Sequence, residues 1–136
     1  ICRSPMAAGL LQDRLAKKNV QTTIDSAGIG ALVDEPATQH SFDIMQEQGI
    51  DIASHRAKQL TQKIALAADL ILVMEAGQKK HIEQLFPSVR GRVFLLGKWQ
   101  KELEIPDPFK QPRTTFDYIY AMIEQNCSLW LEKIAK

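Results

Sequence analysis

Apolar positions change period several times along the chain, from helical spacing to short unbroken runs. Met6, Ala7, Leu10, Leu11 and Leu15 recur at helical spacing after Ser4-Pro5. Ser4 reads as an N-cap and Pro5 as a first-turn residue, and the pattern fades near Asn19. Val20 to Ser26 alternates, is rich in β-branched residues, and predicts a strand broken by Gly28-Ile29-Gly30. Pro36 opens a second helix with Phe42 and Met45 inward, and Gly49 stops it. A short helix is expected over Ile64–Ala68. The runs Asp69–Met74 and Val93–Leu96 are continuously apolar after their first residues and suit strands covered on both faces. Between them, Gln78 to Phe86 is helical and ends at Pro87, while Gly97 closes the second run. Phe116, Ile119, Tyr120, Ile123, Cys127, Trp130, Leu131 and Ile134 mark a long final helix, with Thr114 and Asp117 placed for a capping box.

This alternation predicts an α/β fold: a small doubly wound parallel sheet, three strands visible, flanked by helices on both faces. In such a sheet, ligands bind beyond the carboxyl ends of the strands, where loops feed helix N-termini.

Composition narrows the function classes. The chain has 136 residues, 45% hydrophobic and 24% charged, the size and make-up of one globular domain. Its 17 basic and 16 acidic side chains nearly cancel, which argues against a nucleic-acid-coating protein. No apolar run reaches the roughly 20 residues that insertion into a membrane requires. Cys2 and Cys127 are too few for a disulfide framework, so a reducing cytoplasm is the expected location. No ligand cluster for a metal and no dinucleotide fingerprint is present, which sets aside a flavodoxin-like cofactor binder; no cofactor is expected.

Two short segments carry candidate chemistry. In Ile1-Cys2-Arg3-Ser4-Pro5, a guanidinium stands beside a helix start, whose free N–H groups and dipole favour an anion. Arg3 suits clamping two phosphate oxygens, and Ser4 either caps the helix or donates to a neighbouring thiolate. The plainer reading is a simple helix start with a solvated arginine. In Ile105-Pro106-Asp107-Pro108-Phe109, two prolines restrict a carboxylate that lies after a buried strand. Such a fixed acid suits proton donation to a leaving oxygen, although Asp-Pro is also an ordinary turn.

Together these segments resemble the low-molecular-weight protein-tyrosine phosphatases. That family carries a Cys-x5-Arg loop followed by Ser-Pro, and a late Asp-Pro-aromatic loop. Ile1–Pro5 looks like the end of the first and Asp107-Pro108-Phe109 like the second. Asp25–Gly28, Ser54–Gln59 and Asp69–Glu75 also resemble family segments, in order. Ser26–Val33 and Glu104–Pro108 further resemble the bacterial subgroup tied to capsule and exopolysaccharide production.

The resemblance implies hydrolysis of phosphotyrosine through a cysteinyl phosphate. Arg3 would hold phosphate and Asp107 would act as acid and then base. Ile1, Cys2, Arg3 and Ser4 would line the phosphate site, and Phe109 the ring slot. Ser26 and His55 would brace the phosphate loop, with Leu32 and Trp99 available for the rim. Cys2 matches the family's second loop cysteine, which can form a protective disulfide with the nucleophile. Tyrosine-phosphorylated proteins are the implied partners, foremost a membrane-linked bacterial tyrosine autokinase, with phosphate or other oxyanions as site ligands.

The likeness has one gap. The nucleophile should lie six positions before Arg3, upstream of Ile1, and Cys2 cannot replace it because six positions after it stands Ala8. Residues 1–136 are therefore expected to be one phosphatase domain truncated at its N-terminus. Two other readings stand beside this one. An arsenate reductase on the same scaffold would need redox cysteines that Glu75–Val89 lacks. A phosphate-binding module without catalysis would fit the 136 residues taken alone. His40 and His81 are expected to be solvated, Cys127 and Tyr120 in the core, and Tyr118 exposed.

Overall fold

The computed structural model describes residues 1–134, so Ala135 and Lys136 at the end of the expected domain lie outside the described residues. In chain order the elements are α1 (Arg3–Lys17), α2 (Gln39–Glu47), α3 (Gln62–Ala67), β1 (Ile71–Val73), α4 (Ala76–Leu85), a 3-10 turn (Pro87–Val89), β2 (Val93–Leu95), a second 3-10 turn (Lys98–Gln100) and α5 (Arg113–Ile134). The two strands pair in parallel, Ile71 opposite Val93 and Val73 opposite Leu95. This is the expected α/β architecture with a parallel sheet.

The apolar runs work because each face of the sheet has its own cover. Leu72, Met74, Phe94 and Leu96 pack with α1, α2 and α5, against Met6, Leu10, Leu15, Met45, Ile119 and Ile123. Ile71, Val73, Val93 and Leu95 point the other way, toward Ala65, Ile82 and Val89. The period-2 geometry of a strand thus divides one run between two cores.

Several expectations need correction. Val20–Ser26 is not a strand. Val20 and Ile24 pack half-buried against the core as the alternation implies. A strand also needs a neighbour's amides, and among the described residues this segment leads only to a single bridge, Gly28 with Gln59. The sheet therefore has two strands here, not three. Among the described residues, β1 is paired on the β2 side alone.

Helix starts also move. Ser4 lies inside α1, whose N-cap is Cys2 and carries no side-chain cap. Pro36 precedes an extended approach, and α2 begins only after Thr38. Thr114 and Asp117 form no capping box: α5 begins at Arg113 after Pro112. Arg113 donates from Nε to Asp117 at 2.9 Å, and from Nη2 to both Glu47 oxygens at 2.9 and 3.0 Å. These carboxylates push Arg113 above its ordinary value.

His40 is half-buried, with its ring 4.9 Å from that of Phe116. Tyr120 is half-buried, not core. Cys127 is fully buried as expected, and burial pushes its thiol up to about 12. His81 and Tyr118 are exposed. Gly49 closes α2 with a φ of 77°, a left-handed turn that suits glycine. Among the described residues, no helix is long and apolar enough to cross a membrane.

Candidate active site

The site forms where three chain segments converge at the carboxyl end of β1. Arg3 occupies the first turn of α1, with its side chain only 12% exposed. Its Nη1 donates to the carboxylate of Glu75 and, at 2.6 Å, to the carbonyl of Ile105. Glu75 follows β1 and stands at the N-cap of α4. Ile105 is fully buried and donates its N–H to Met74 O at 3.0 Å. The loop that follows it carries Asp107.

Arg3 and the acid loop are therefore joined directly. Asp107 is exposed, and its Oδ1 accepts from Phe109 N at 3.0 Å, which fixes the turn between Pro106 and Phe109. Its charge also reaches Cys2. Burial pushes the Cys2 thiol up, and Asp107 adds to that, against a Thr38 hydroxyl contact at 3.6 Å and Arg3. Ser41 Oγ donates to Cys2 O at 3.1 Å.

Ile1 is half-buried, and its carbonyl accepts from Thr38 N at 2.9 Å. That bond ties the start of the chain to the 31–38 loop. The same loop is pinned to the 55–60 segment, through Asp34 N to Ala57 O and Ala57 N to Glu35 O, both 2.7 Å. Gly28 bonds the same segment through Lys58 O at 2.9 Å and Leu60 N at 2.8 Å, and the Lys58 ammonium meets the Asp25 carboxylate. Ser26 and His55 are brought to neighbouring segments by these bonds. His55 Nε2 is buried without a partner among the described residues. Burial holds its imidazole below the ordinary value, and repulsion from Arg56 adds to this. Ser26 is half-buried; its N–H donates to Asp25 Oδ1 at 2.9 Å.

Phe109, 39% exposed, and Leu32, 51% exposed, are open to solvent on their loops. Trp99 is not drawn into this set. It packs edge-on against Trp130 at 5.5 Å, with Lys133 Nζ 4.6 Å from its ring. The two broad surface depressions, one lined by Gln12, Asn19 and Thr22 and the other by Asp43, Glu47 and Arg113, share no residue with the site. Among the described residues, no group of three His, Cys, Asp or Glu side chains could hold a metal ion.

Sequence reasoning missed Glu75 and Ile105. The signal for Glu75 was available: an acid immediately after a buried strand and before a helix stands at the ligand end of a parallel sheet.

The family model for the low molecular weight phosphotyrosine protein phosphatases matches residues 1–136. The chain belongs to that family. Relatives in it are named protein-tyrosine-phosphatases, a hydrolase family, and the solved relatives share its fold. The chain is 41% identical, over 98% of its length and 89% of the relative's, to the probable low molecular weight protein-tyrosine-phosphatase EpsP of Ralstonia nicotianae. It is 37% identical to the protein-tyrosine-phosphatase Wzb of Escherichia coli K12, over 98% and 88% of the two chains. The structure of Vibrio vulnificus Wzb in complex with benzylphosphonate superposes with a TM-score of 0.92 at 35% identity, covering 98% of this chain and 92% of that one. Relatives of the Wzb and EpsP types agree with the subgroup likeness of residues 26–33 and 104–108.

Proposed function

We propose that residues 1–136 belong to one phosphatase domain, truncated at its N-terminus, that when complete hydrolyses phosphotyrosine, with Arg3 gripping the phosphate and Asp107 handling the proton. The observation that carries this reading is the bond from Arg3 Nη1 to Ile105 O, two residues before Asp107. It couples an oxyanion grip to a proline-flanked acid. Both Nη1 contacts go to protein. The Nε and Nη2 edge has no protein partner among the described residues and suits two phosphate oxygens.

The chemistry then runs in two steps. A thiolate attacks phosphorus, the bond from phosphorus to the phenol oxygen breaks, and the Asp107 carboxyl protonates that oxygen. Water then attacks the phosphorus of the cysteinyl phosphate, Asp107 takes its proton, the phosphorus–sulfur bond breaks to return the thiolate, and inorganic phosphate leaves. Arg3 and the N–H groups at the start of α1 stabilise the charge on the equatorial oxygens. The position that the resemblance gives the thiolate, six before Arg3, lies outside these 136 residues. Ile1, Cys2 and Ser4 border the phosphate through their backbone, Phe109 walls the ring, and Ser26 and His55 brace the loop. The unpartnered His55 Nε2 supports that last role. The substrate would be a tyrosine autokinase that controls capsule or exopolysaccharide production, reached from the cytoplasm.

The test is turnover by the complete translation product of the gene, its intact mass recorded, on phosphotyrosyl and phosphoseryl peptides. Release of phosphate from phosphotyrosine alone is the expected result. Saturable phosphate binding without turnover would make the protein a binding module and refute the enzyme.

A further inference from the structure

Lys110 differs from the other cations near the site. The Arg3 guanidinium is held by Glu75 and Ile105, Lys58 pairs with Asp25, and Arg56 donates to the carbonyls of Ala53 and His55. Lys110 is exposed and forms no salt bridge among the described residues. Its Nζ instead lies 5.6 Å from the centroid of the Phe109 ring. A cation at that distance from an aromatic face is attracted to it, which biases the side chain toward the ring.

The backbone directs it there. Gln111 N donates to Pro108 O at 2.8 Å and closes a turn with Phe109 and Lys110 at its centre. Lys110 takes a φ of 64°, a left-handed conformation in which glycine or asparagine is ordinary and lysine is not. The turn is anchored by buried Pro108 and by Asp107 Oδ1 accepting from Phe109 N. An acid, an aromatic wall and an uncompensated ammonium thus follow one another on one rigid turn.

Resting on the proposed reading, in which Phe109 walls the phosphotyrosine ring, we infer that Lys110 sets sequence preference: the site favours phosphotyrosine with an anionic group beside it. That group is a carboxylate side chain or a second phosphate. In that reading the phosphotyrosine ring lies along Phe109 with its ester oxygen at Asp107, so a neighbouring side chain of the substrate would pass the turn that carries Lys110. Asp107, on the same turn, forms no salt bridge with Lys110 among the described residues.

The experiment compares kcat/KM of the complete gene product on phosphotyrosyl peptides flanked by Glu, by Lys or by a second phosphoresidue. The same set is run on Lys110→Gln and Lys110→Glu. The ratio between peptides within one enzyme form does not depend on its absolute rate. An exposed ion pair changes this ratio by about two- to fivefold, and salt screens it. The expected result is a Glu-over-Lys preference of that size in the native protein. It should vanish in Lys110→Gln, reverse in Lys110→Glu and shrink at high salt. A preference confined to the phosphorylated flank assigns the ligand as phosphate; one shared by Glu assigns charge in general. Equal ratios in all three forms, with p-nitrophenyl phosphate still hydrolysed by the native protein, overturn the role of Lys110 alone. Loss of all hydrolysis by the native protein overturns the underlying reading instead.

Discussion

Glu75 gives the sharpest check on how the arginine is held. Breaking a fully buried ion pair by removing one partner costs about 3–5 kcal/mol, whereas exposed pairs contribute about 0–1 kcal/mol. Arg3 and Glu75 side chains are 12% and 41% exposed, so the pair falls between, at about 1–3 kcal/mol. Glu75→Gln keeps an acceptor and belongs at the lower end; Glu75→Ala belongs at the upper. Glu75 also stands at the start of α4, so each change is measured again in an Arg3→Ala background to isolate the pair. Urea denaturation supplies the free energies. Anion affinity decides the sign of the functional effect. A carboxylate near an incoming phosphate repels it, but it also saves part of the roughly 2 kcal/mol of rotamer entropy that a free arginine must lose. Glu75 engages Nη1 and leaves the Nε and Nη2 edge open, so positioning outweighs repulsion. Phosphate affinity and kcat/KM should fall about tenfold in Glu75→Ala and less in Glu75→Gln. Tighter phosphate binding by either variant, or a coupling to Arg3 within about 0.3 kcal/mol of zero, would refute this account.

Asp107→Ala should lower kcat on phosphotyrosyl peptide by roughly two to four decades while phosphate affinity stays near its native value; Arg3→Ala should damage both. Unchanged turnover removes Asp107 from the mechanism. Gly97→Ala should destabilise the protein by roughly 1–3 kcal/mol, because a Cβ there would stand 2.0 Å from Leu103 O; a urea midpoint equal to the native one contradicts the packing. Cys127 predicts alkaline behaviour. Its folded value of about 12 lies above the ordinary 9.0, so its contribution is intact below about pH 9 and is lost as pH rises toward 12. The loss is about 1.4 kcal/mol per pH unit, about 4 kcal/mol in all. Urea midpoints above pH 9 should fall more steeply in the native protein than in Cys127→Ala, and parallel slopes would remove Cys127 as the cause.

The sequence carried the burial pattern further than it carried the pairing. Unbroken apolar runs at 71–73 and 93–95 became strands because each alternating side chain finds a core on its own face. Val20–Ser26 has the right period and partly the right burial, yet strand formation depends on a neighbour's amides, which local period does not encode. Helix interiors were legible from spacing, and starts were not. Pro5 and Pro36 mark the approach to a helix, but the first hydrogen-bonded turn falls elsewhere. Arg113, tied to Glu47 across 66 residues, takes Asp117 away from the capping role that its spacing suggests. The prolines that flank Asp107 restrict it locally but equally mark an ordinary turn, and only the family likeness singled it out. Glu75 lies 72 residues from Arg3, and nothing in the sequence near either one announces the other.

One strand end organises both halves of the proposed chemistry. Met74 O receives Ile105 N and so sets where the acid loop begins, while Glu75, the next residue, receives Arg3. Ile105 then returns its own carbonyl to the same Nη1. The arginine, the strand exit and the acid loop form a closed ring of contacts in which no member can shift without stretching another. Preorganisation of this kind places donors before charge develops, which is where electrostatic catalysis gains most. Lys110 lies outside the ring, on an exposed turn. On the proposed reading, replacing it should redirect which phosphotyrosine is chosen while the contacts of Arg3 with Glu75 and Ile105 stay in place.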